Sequence, residues 1–339
     1  MAHTEIKNRP PLEACILHLA DREGMPVGVA VTKATYSIRP EGLTLAEEKQ
    51  SIFPAGRPYG EPGKSSFRYE PECAYTKPST DVVLIANATA SRGATTHVEV
   101  DFAVGPLRKT AVVFGDRYWF SSFTGSDVMG PEPFEEMPLV YERAFGGWDR
   151  SDADPERHAP DPRNPLGCGF QNKFAPHQDR LPLPNVEDPK DLIRDMNSRP
   201  NPIGFGFTNP DWEPRSQFAG TLDDAWMRDR MPELPADFDV RFFNAASSGL
   251  VAQGYLLGNE IVRVTNCSRE GSLVFNLPGI PPPLCRFRIA GRPDANLSGE
   301  LDTIVVNTVE RFVTMTWRCH VALPQGPEQL LEFEVRTVC

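Results

Sequence analysis

A chain of 339 residues, 40% of them hydrophobic, holds enough apolar material for a sizeable core and has the length of two domains or one large β domain. Its formal net charge of −11, without a basic block or stripe, argues against nucleic acid, whose binding needs clustered Lys and Arg. It has no apolar run of membrane-spanning length and no charged-then-apolar start, and seven scattered cysteines (Cys15, Cys73, Cys168, Cys267, Cys285, Cys319, Cys339) form no Cys-x-x-Cys, so a cytoplasmic protein with reduced thiols is expected.

The first third reads as strand after strand. Cys15 to Leu19 and Val27 to Ile38 flank the turn signal Asp21-Arg22-Glu23-Gly24 and predict a long hairpin. Residues 41 to 78, polar and rich in proline and glycine, read as loops. Asp81 to Ala90 is apolar on both parities, as a strand covered on two faces is. Val98, Val100, Phe102 and Val104 then alternate with His97, Glu99, Asp101 and Ala103. Gly105-Pro106 turns the chain into Leu107 to Phe114, and Gly115-Asp116-Arg117 precedes the strand Tyr118-Trp119-Phe120.

The middle third carries 15 of the 34 prolines between Pro131 and Pro214, a density that leaves room only for loops, turns and short helices. Asp188-Pro189 predicts a helix to about Asn197, and Thr221-Leu222-Asp223-Asp224 a second one ending near Met231. Two near-copies of one heptapeptide stand out. Asn164-Pro165-Leu166-Gly167-Cys168-Gly169-Phe170 recurs 37 residues later as Asn201-Pro202-Ile203-Gly204-Phe205-Gly206-Phe207, with five of seven positions identical. Asn-Pro starts a turn, the paired glycines free the backbone, and the closing Phe supplies an apolar anchor. The same turn is expected in both copies, with Phe170 or Phe207 packed into the fold. Gly146 and Gly147, ahead of Trp148, predict a backbone that a Cβ strains.

The last third returns to strands at Ile261 to Thr265, Ser272 to Leu277 and Ile304 to Asn307. The last of these is expected to pair with Phe312 to Val321. Leu331, Phe333 and Val335 alternate with Glu332, Glu334 and Arg336 in a final strand. The predicted fold is mainly β, with antiparallel sheets and half-polar alternation. It divides into a β lobe over 1–130, a loop-dominated segment over 131–215 and a second β lobe over 216–339, or forms one elaborated sandwich.

Chemistry is sparse. His158, Cys168 and His177 fall within 20 residues but match no zinc spacing, so no metal and no cofactor are expected. Asp152-x-Asp154-x-Glu156 lacks the glycine and the bidentate Glu of a calcium loop and reads as a solvated turn. No Gly-x-Ser-x-Gly elbow, P-loop or dinucleotide fingerprint follows a strand. Asp116, Glu142, Asp149 and Asp179 near Trp119 and Trp148 make glycoside chemistry or carbohydrate binding the enzymatic alternative. No catalytic residue is assigned. Aromatic and arginine side chains anchor interfaces, and prolines pre-order the loops that carry them. The candidate partner-binding residues are therefore Phe134, Tyr141, Arg143, Phe145, Trp148, Phe170, Phe207 and Trp212, set on turns built by Gly146, Gly147, Asn164, Pro165, Gly167, Gly169, Asn201, Pro202, Gly204 and Gly206.

Six segments in order carry a family resemblance. They are Lys77-Pro78-Ser79-Thr80-Asp81-Val82-Val83, Lys109 through Tyr118-Trp119, and Pro133 through Gly147. Then come Asn164 through Phe170, Leu234 through Asn244, and Leu301-Asp302-Thr303 with Trp317-Arg318. The chain resembles a bacterial family catalogued as a domain of unknown function and encoded beside type VI secretion genes for VgrG spikes, PAAR tips and toxic effectors. That resemblance implies an adaptor or chaperone whose partners are an effector or PAAR-tip protein and possibly VgrG. The chain departs from the family pattern at Ala245-Ala246-Ser247-Ser248-Gly249, where Ala-Pro and then Asp-Gln are usual, and at Ala86-Asn87, where a glycine is usual.

Overall fold

The computed structural model describes residues 5–8, 12–91, 93–123 and 125–336. Its central sheet runs in the order Glu13–Ala20, Pro26–Arg39, Phe312–Ala322, Glu300–Asn307, Asp81–Ile85, with Gly42–Leu45 also paired to Pro26–Arg39. All pairs are antiparallel except Asp81–Ile85, which lies parallel to Glu300–Asn307. Pro26–Arg39 lies between Glu13–Ala20 and Phe312–Ala322, and ten consecutive residues, Val27 to Tyr36, are buried. One face of it, with Val27, Val29 and Val31, packs under Tyr75. The opposite parity, with Ala30, Ala34, Tyr36 and Ile38, enters the main core.

A second sheet orders Val186–Glu187, Leu107–Phe114, His97–Val104, Ile261–Thr265 and Ser272–Asn276. The alternation expected of His97–Val104 is realised: Val100, Phe102 and Val104 are buried and meet Val262 and Val264 in the main core. A four-stranded sheet joins Glu5–Asn8, Leu330–Arg336, Leu284–Ile289 and Ala295–Ser298. Its first strand, parallel to Leu330–Arg336, and its last two had no clear counterpart in the sequence pattern. A three-stranded sheet of Gly125–Met129, Tyr118–Ser122 and Arg180–Pro182 stands apart. None of the sheets closes into a barrel.

These pairings correct the division into an N-terminal and a C-terminal lobe. Pro26–Arg39 bonds to Phe312–Ala322, Asp81–Ile85 to Glu300–Asn307, and His97–Val104 to Ile261–Thr265. The boundaries at 130 and 215 therefore fall within one shared hydrogen-bonded framework. Residues 131–215 contribute to the same core through Met137, Leu139, Val186, Ile203, Phe205 and Phe207.

Most expected hairpins and strands form, but Asp81 to Ala90 is split into Asp81–Ile85 and Asn87–Thr89. The stretch read as loops holds Gly42–Leu45, Arg57–Pro58 and Phe67–Tyr69, and one expected helix does not form. Residues 188–198 are turns, because short side chains capture the N–H groups a helix needs. The Asp188 carboxylate accepts from Lys190 N (2.9 Å), Glu187 from Ile193 N (2.8 Å) and Asp195 from Asn197 N (2.8 Å). The second helix exists as Asp224–Asp229, capped by Asp223, which accepts from Trp226 N at 2.8 Å. Thr221, expected as its cap, bonds instead through its N–H and hydroxyl to Asp237. The alternation read into the final strand is also broken. Leu331 is exposed while Glu332 and Glu334 are buried, and the register shifts at Arg288/Ile289 of the neighbouring strand. Among the described residues no helix is long and apolar enough to cross a membrane.

Candidate protein-binding groove

The first heptapeptide and the Ala144–Trp148 segment build one compact unit. Phe145–Gly146 lies parallel to Cys168–Gly169, with Cys168 N donating to Ala144 O (3.0 Å) and Phe170 N to Gly146 O (2.9 Å). Gly147 N donates to Asn164 O, and Asp161 N to Gly147 O, each at 2.8 Å. The fully buried Asn164 side chain donates to Tyr141 O (2.8 Å) and Phe145 O (3.0 Å), supplying bonds that a third strand gives elsewhere. The chains approach so closely that a Cβ on Gly146 meets Asn164 O at 2.1 Å, and one on Gly147 meets Gly167 O at 2.4 Å. Both glycines have positive φ, +142° and +92°, where an L side chain is strained. Arg163 clamps the turn, bonding both oxygens of the buried Asp161 carboxylate (2.9 and 2.6 Å), with its guanidinium 5.7 Å from the Phe145 ring.

This unit forms the wall of a groove of about 470 Å³. Trp148, Arg150, Pro165 and Phe170 line it together with Leu181, Pro182 and Lys64. Trp148 is 44% exposed, whereas Phe170 is partly covered by an edge contact to Phe145 (6.2 Å) and by Arg199 (5.5 Å). The turn residues Gly146, Gly147, Pro165, Gly167 and Gly169 all border it. Burial pushes the Cys168 thiol up to about 12, so it stays protonated at neutral pH.

Only part of the predicted partner surface coincides with this groove. Tyr141, Phe145, Phe207 and Trp212 are buried, with Tyr141 and Trp212 edge to face at 5.1 Å, so their rings are covered by the protein's own chain. These four are packing residues, a correction that follows from how readily large rings are buried. Phe134 lies elsewhere, its main chain paired with Thr95. Arg143 is committed to Asp116 (3.2 Å) and Asn185 (2.9 Å). Trp148 and Phe170 remain in the groove.

The two heptapeptides also differ in geometry, contrary to the expectation of one shared turn. Asn201 is exposed and accepts from Arg163 (3.1 Å), where Asn164 is buried. Gly169 has φ +90°, but Gly206 has no positive φ and open space around it. The second copy runs extended into the core, with Leu84 N donating to Phe205 O (2.9 Å) and Phe207 buried. Pro202 is half-buried beside it, and Gly204 is kept free of a side chain by the Tyr141 ring. The residues missed by sequence reasoning are Lys64, Arg150, Leu181 and Pro182. Only the alternation of Leu181 and Leu183 with prolines signalled the short strand that carries two of them.

Among the glycoside candidates, both Glu142 oxygens accept from Ser66, and Asp116 accepts from Arg143 and Asn185, while Trp119 is buried. Asp152 and Asp154 accept backbone N–H groups two residues on, and Asp154 caps the one-turn helix Pro155–Arg157. Among the described residues no group of three His, Cys, Asp or Glu is placed to hold a metal, and His158, Cys168 and His177 do not form one.

A second constellation lies in the interior, where three of the resemblance-bearing segments meet. The Lys77 ammonium is in contact with Glu70 and donates to Asp81 (2.8 Å) and Thr303 (3.1 Å). Asn244 donates to Asp81 and to Ser79 O, each at 2.9 Å, and Ala245 N donates to Asp81 at 2.8 Å. Arg318 pairs with Asp302 at 2.6 Å. Burial alone pulls the Lys77 ammonium down, but Asp81, Glu70 and Asp302 outweigh it and hold the group above the usual lysine range. Burial pushes the Glu70 carboxyl up despite Lys77 and Arg215.

Sheets shared between both ends of the chain and a turn-built groove define a mainly β protein with a loop-rich, proline-dense surface. The chain belongs to the family described as "Uncharacterized protein conserved in bacteria (DUF2169)", whose model matches residues 23–318. No curated protein and no solved structure matches it.

Proposed function

We propose that this protein is a non-enzymatic adaptor or chaperone of the bacterial cytoplasm. In this reading it binds and stabilises a type VI secretion effector or PAAR-tip protein and helps seat it on the VgrG spike. The observation that carries the reading is the groove. A backbone locked by Gly146, Gly147 and Asn164 holds an exposed Trp148 and a half-covered Phe170 across about 470 Å³. A pre-ordered aromatic anchor beside arginine suits protein recognition, because little side-chain and loop entropy remains to be lost on binding. The genetic setting that the family resemblance implies supplies the partner's class.

The test is co-purification with the proteins encoded beside it. Trp148→Ala is expected to leave the melting temperature unchanged and to weaken capture by about 2 kcal/mol, roughly thirtyfold in affinity. Failure of any co-encoded effector, PAAR or VgrG protein to bind, with oligosaccharides instead raising the melting temperature, replaces this reading with carbohydrate binding.

A further inference from the structure

The three-stranded sheet beside the groove ends in an edge that nothing among the described residues covers. Gly125–Met129 pairs with Tyr118–Ser122 on one side, and all five of its residues are exposed. Among the described residues no main-chain bond is made from its other side. Alternate residues of an antiparallel strand turn N–H and C=O groups away from the paired neighbour, so this edge presents a row of donors and acceptors to solvent. Natural edges are blunted by Lys, Pro, a bulge or a covering loop. Gly125–Met129 carries neither Lys nor Pro, and its register against Tyr118–Ser122 is unbroken. Val128 and Met129 are 43% and 47% exposed, and Phe123 at the hairpin tip is fully exposed.

The same sheet leads into the groove. Its third strand, Arg180–Pro182, pairs with Tyr118–Phe120 and supplies Leu181 and Pro182 to the groove wall. We propose that Gly125–Met129 is a strand-addition site, to which an extended segment of the partner protein bonds as a fourth strand while an adjacent part of that partner occupies the groove. The assignment rests on the adaptor reading and adds the conformation and charge of what is bound. Asp127 is the strand's one charge and is exposed. Two copies of this chain pairing about the strand's centre set Asp127 against Asp127, and like charges directly opposite are destabilising. The segment that fits carries Lys or Arg opposite Asp127 and apolar residues beside Val128 and Met129.

The experiment uses the full chain co-expressed with the co-encoded protein it captures, and compares amide hydrogen exchange in the free and bound protein. Slowed exchange of residues 125–129 in the complex is expected. Asp127→Lys and Val128→Lys are each expected to weaken capture about tenfold or more with an unchanged melting temperature, since edge lysines oppose strand pairing. Equal exchange of 125–129 in both states, with capture still sensitive to Trp148→Ala, overturns the strand-addition site and leaves the adaptor reading standing. No capture by the parent protein overturns both. A homodimer in sedimentation that Asp127→Lys changes to monomer assigns the edge to self-association and overturns the proposal.

Discussion

Replacing Gly147 by Ala probes the local architecture on which the groove depends. At φ +92° an L residue costs about 1–3 kcal/mol. Its Cβ lands 2.4 Å from Gly167 O, an oxygen of the facing backbone that has no rotamer to escape into. The segments must separate, and the bonds from Gly147 N to Asn164 O and from Asp161 N to Gly147 O stretch. Losing both adds about 1 kcal/mol apiece. The expected destabilisation is therefore about 3–5 kcal/mol from strain and lost bonds together. Gly206→Ala is the internal control, because that glycine sits in open space without positive φ and corresponds to Gly169 in the second heptapeptide. It is expected to change stability by less than about 1 kcal/mol, and in the stabilising direction if it acts only on the unfolded chain. Urea unfolding followed by tryptophan fluorescence measures both. A Gly147→Ala midpoint indistinguishable from that of Gly206→Ala refutes the argument from backbone approach.

Phe207→Ala is expected to cost about 3–5 kcal/mol and deplete soluble protein, whereas the partly covered Phe170→Ala costs less; equal melting temperatures contradict the burial difference. Asp302→Ala leaves Arg318 charged and unpaired in the interior and is expected to destabilise by about 3–5 kcal/mol, and adding Arg318→Met recovers part of that loss in urea titrations. Burial pulls the Lys109 ammonium down to about 7, with Asp188 only partly offsetting it. Its unfolded value is 10.5, so the unfolded chain binds more protons between these limits. The penalty is full below the folded value and is relieved as pH rises through that window. Lys109→Met is expected to flatten this part of the pH–stability curve, and an unchanged slope counts against the assignment.

Strands were legible at several places where one face meets water, though not at Leu284–Ile289 or Ala295–Ser298. The alternation over His97–Val104 and the turn at Asp21–Gly24 are local signals, and the structure follows them. Partners close in sequence were legible, as at 13–39 and 300–322, but distant ones were not, because pairing 26–39 with 312–322 leaves no trace at either site. The heptapeptides show a related limit. Identical Asn-Pro and glycine positions gave a buried turn at 164–170 and an extended run at 201–207, since the surroundings decide the backbone. The groove was half legible. Gly146 and Gly147 announced strain beside the candidate anchor Trp148, while Lys64, Leu181 and Pro182 arrive from loops and a strand remote in sequence.

The segments that carry the resemblance divide between the interior and the groove wall, where Gly146, Gly147 and Pro165–Phe170 stand, and leave out Gly125–Met129, Trp148 and Arg150. Lys77, Asp81, Asn244, Asp302 and Arg318 come from both ends of the chain and meet in the interior, where an unpaired charge is costly. Such a cluster fixes which strands come together, because any other pairing leaves one member without its partner. The resemblance therefore reports this framework more directly than it reports a partner. Gly125–Met129 and Arg150 are free of that constraint: exposed residues can change without unpairing anything inside. If the proposed adaptor role holds, discrimination among partners is expected to reside in the hairpin and the exposed groove residues. Exchanging those surface residues between two family members is expected to exchange partners with little change in melting temperature. An exchange of the interior cluster that switches partners while the surface exchange does not would reverse this assignment.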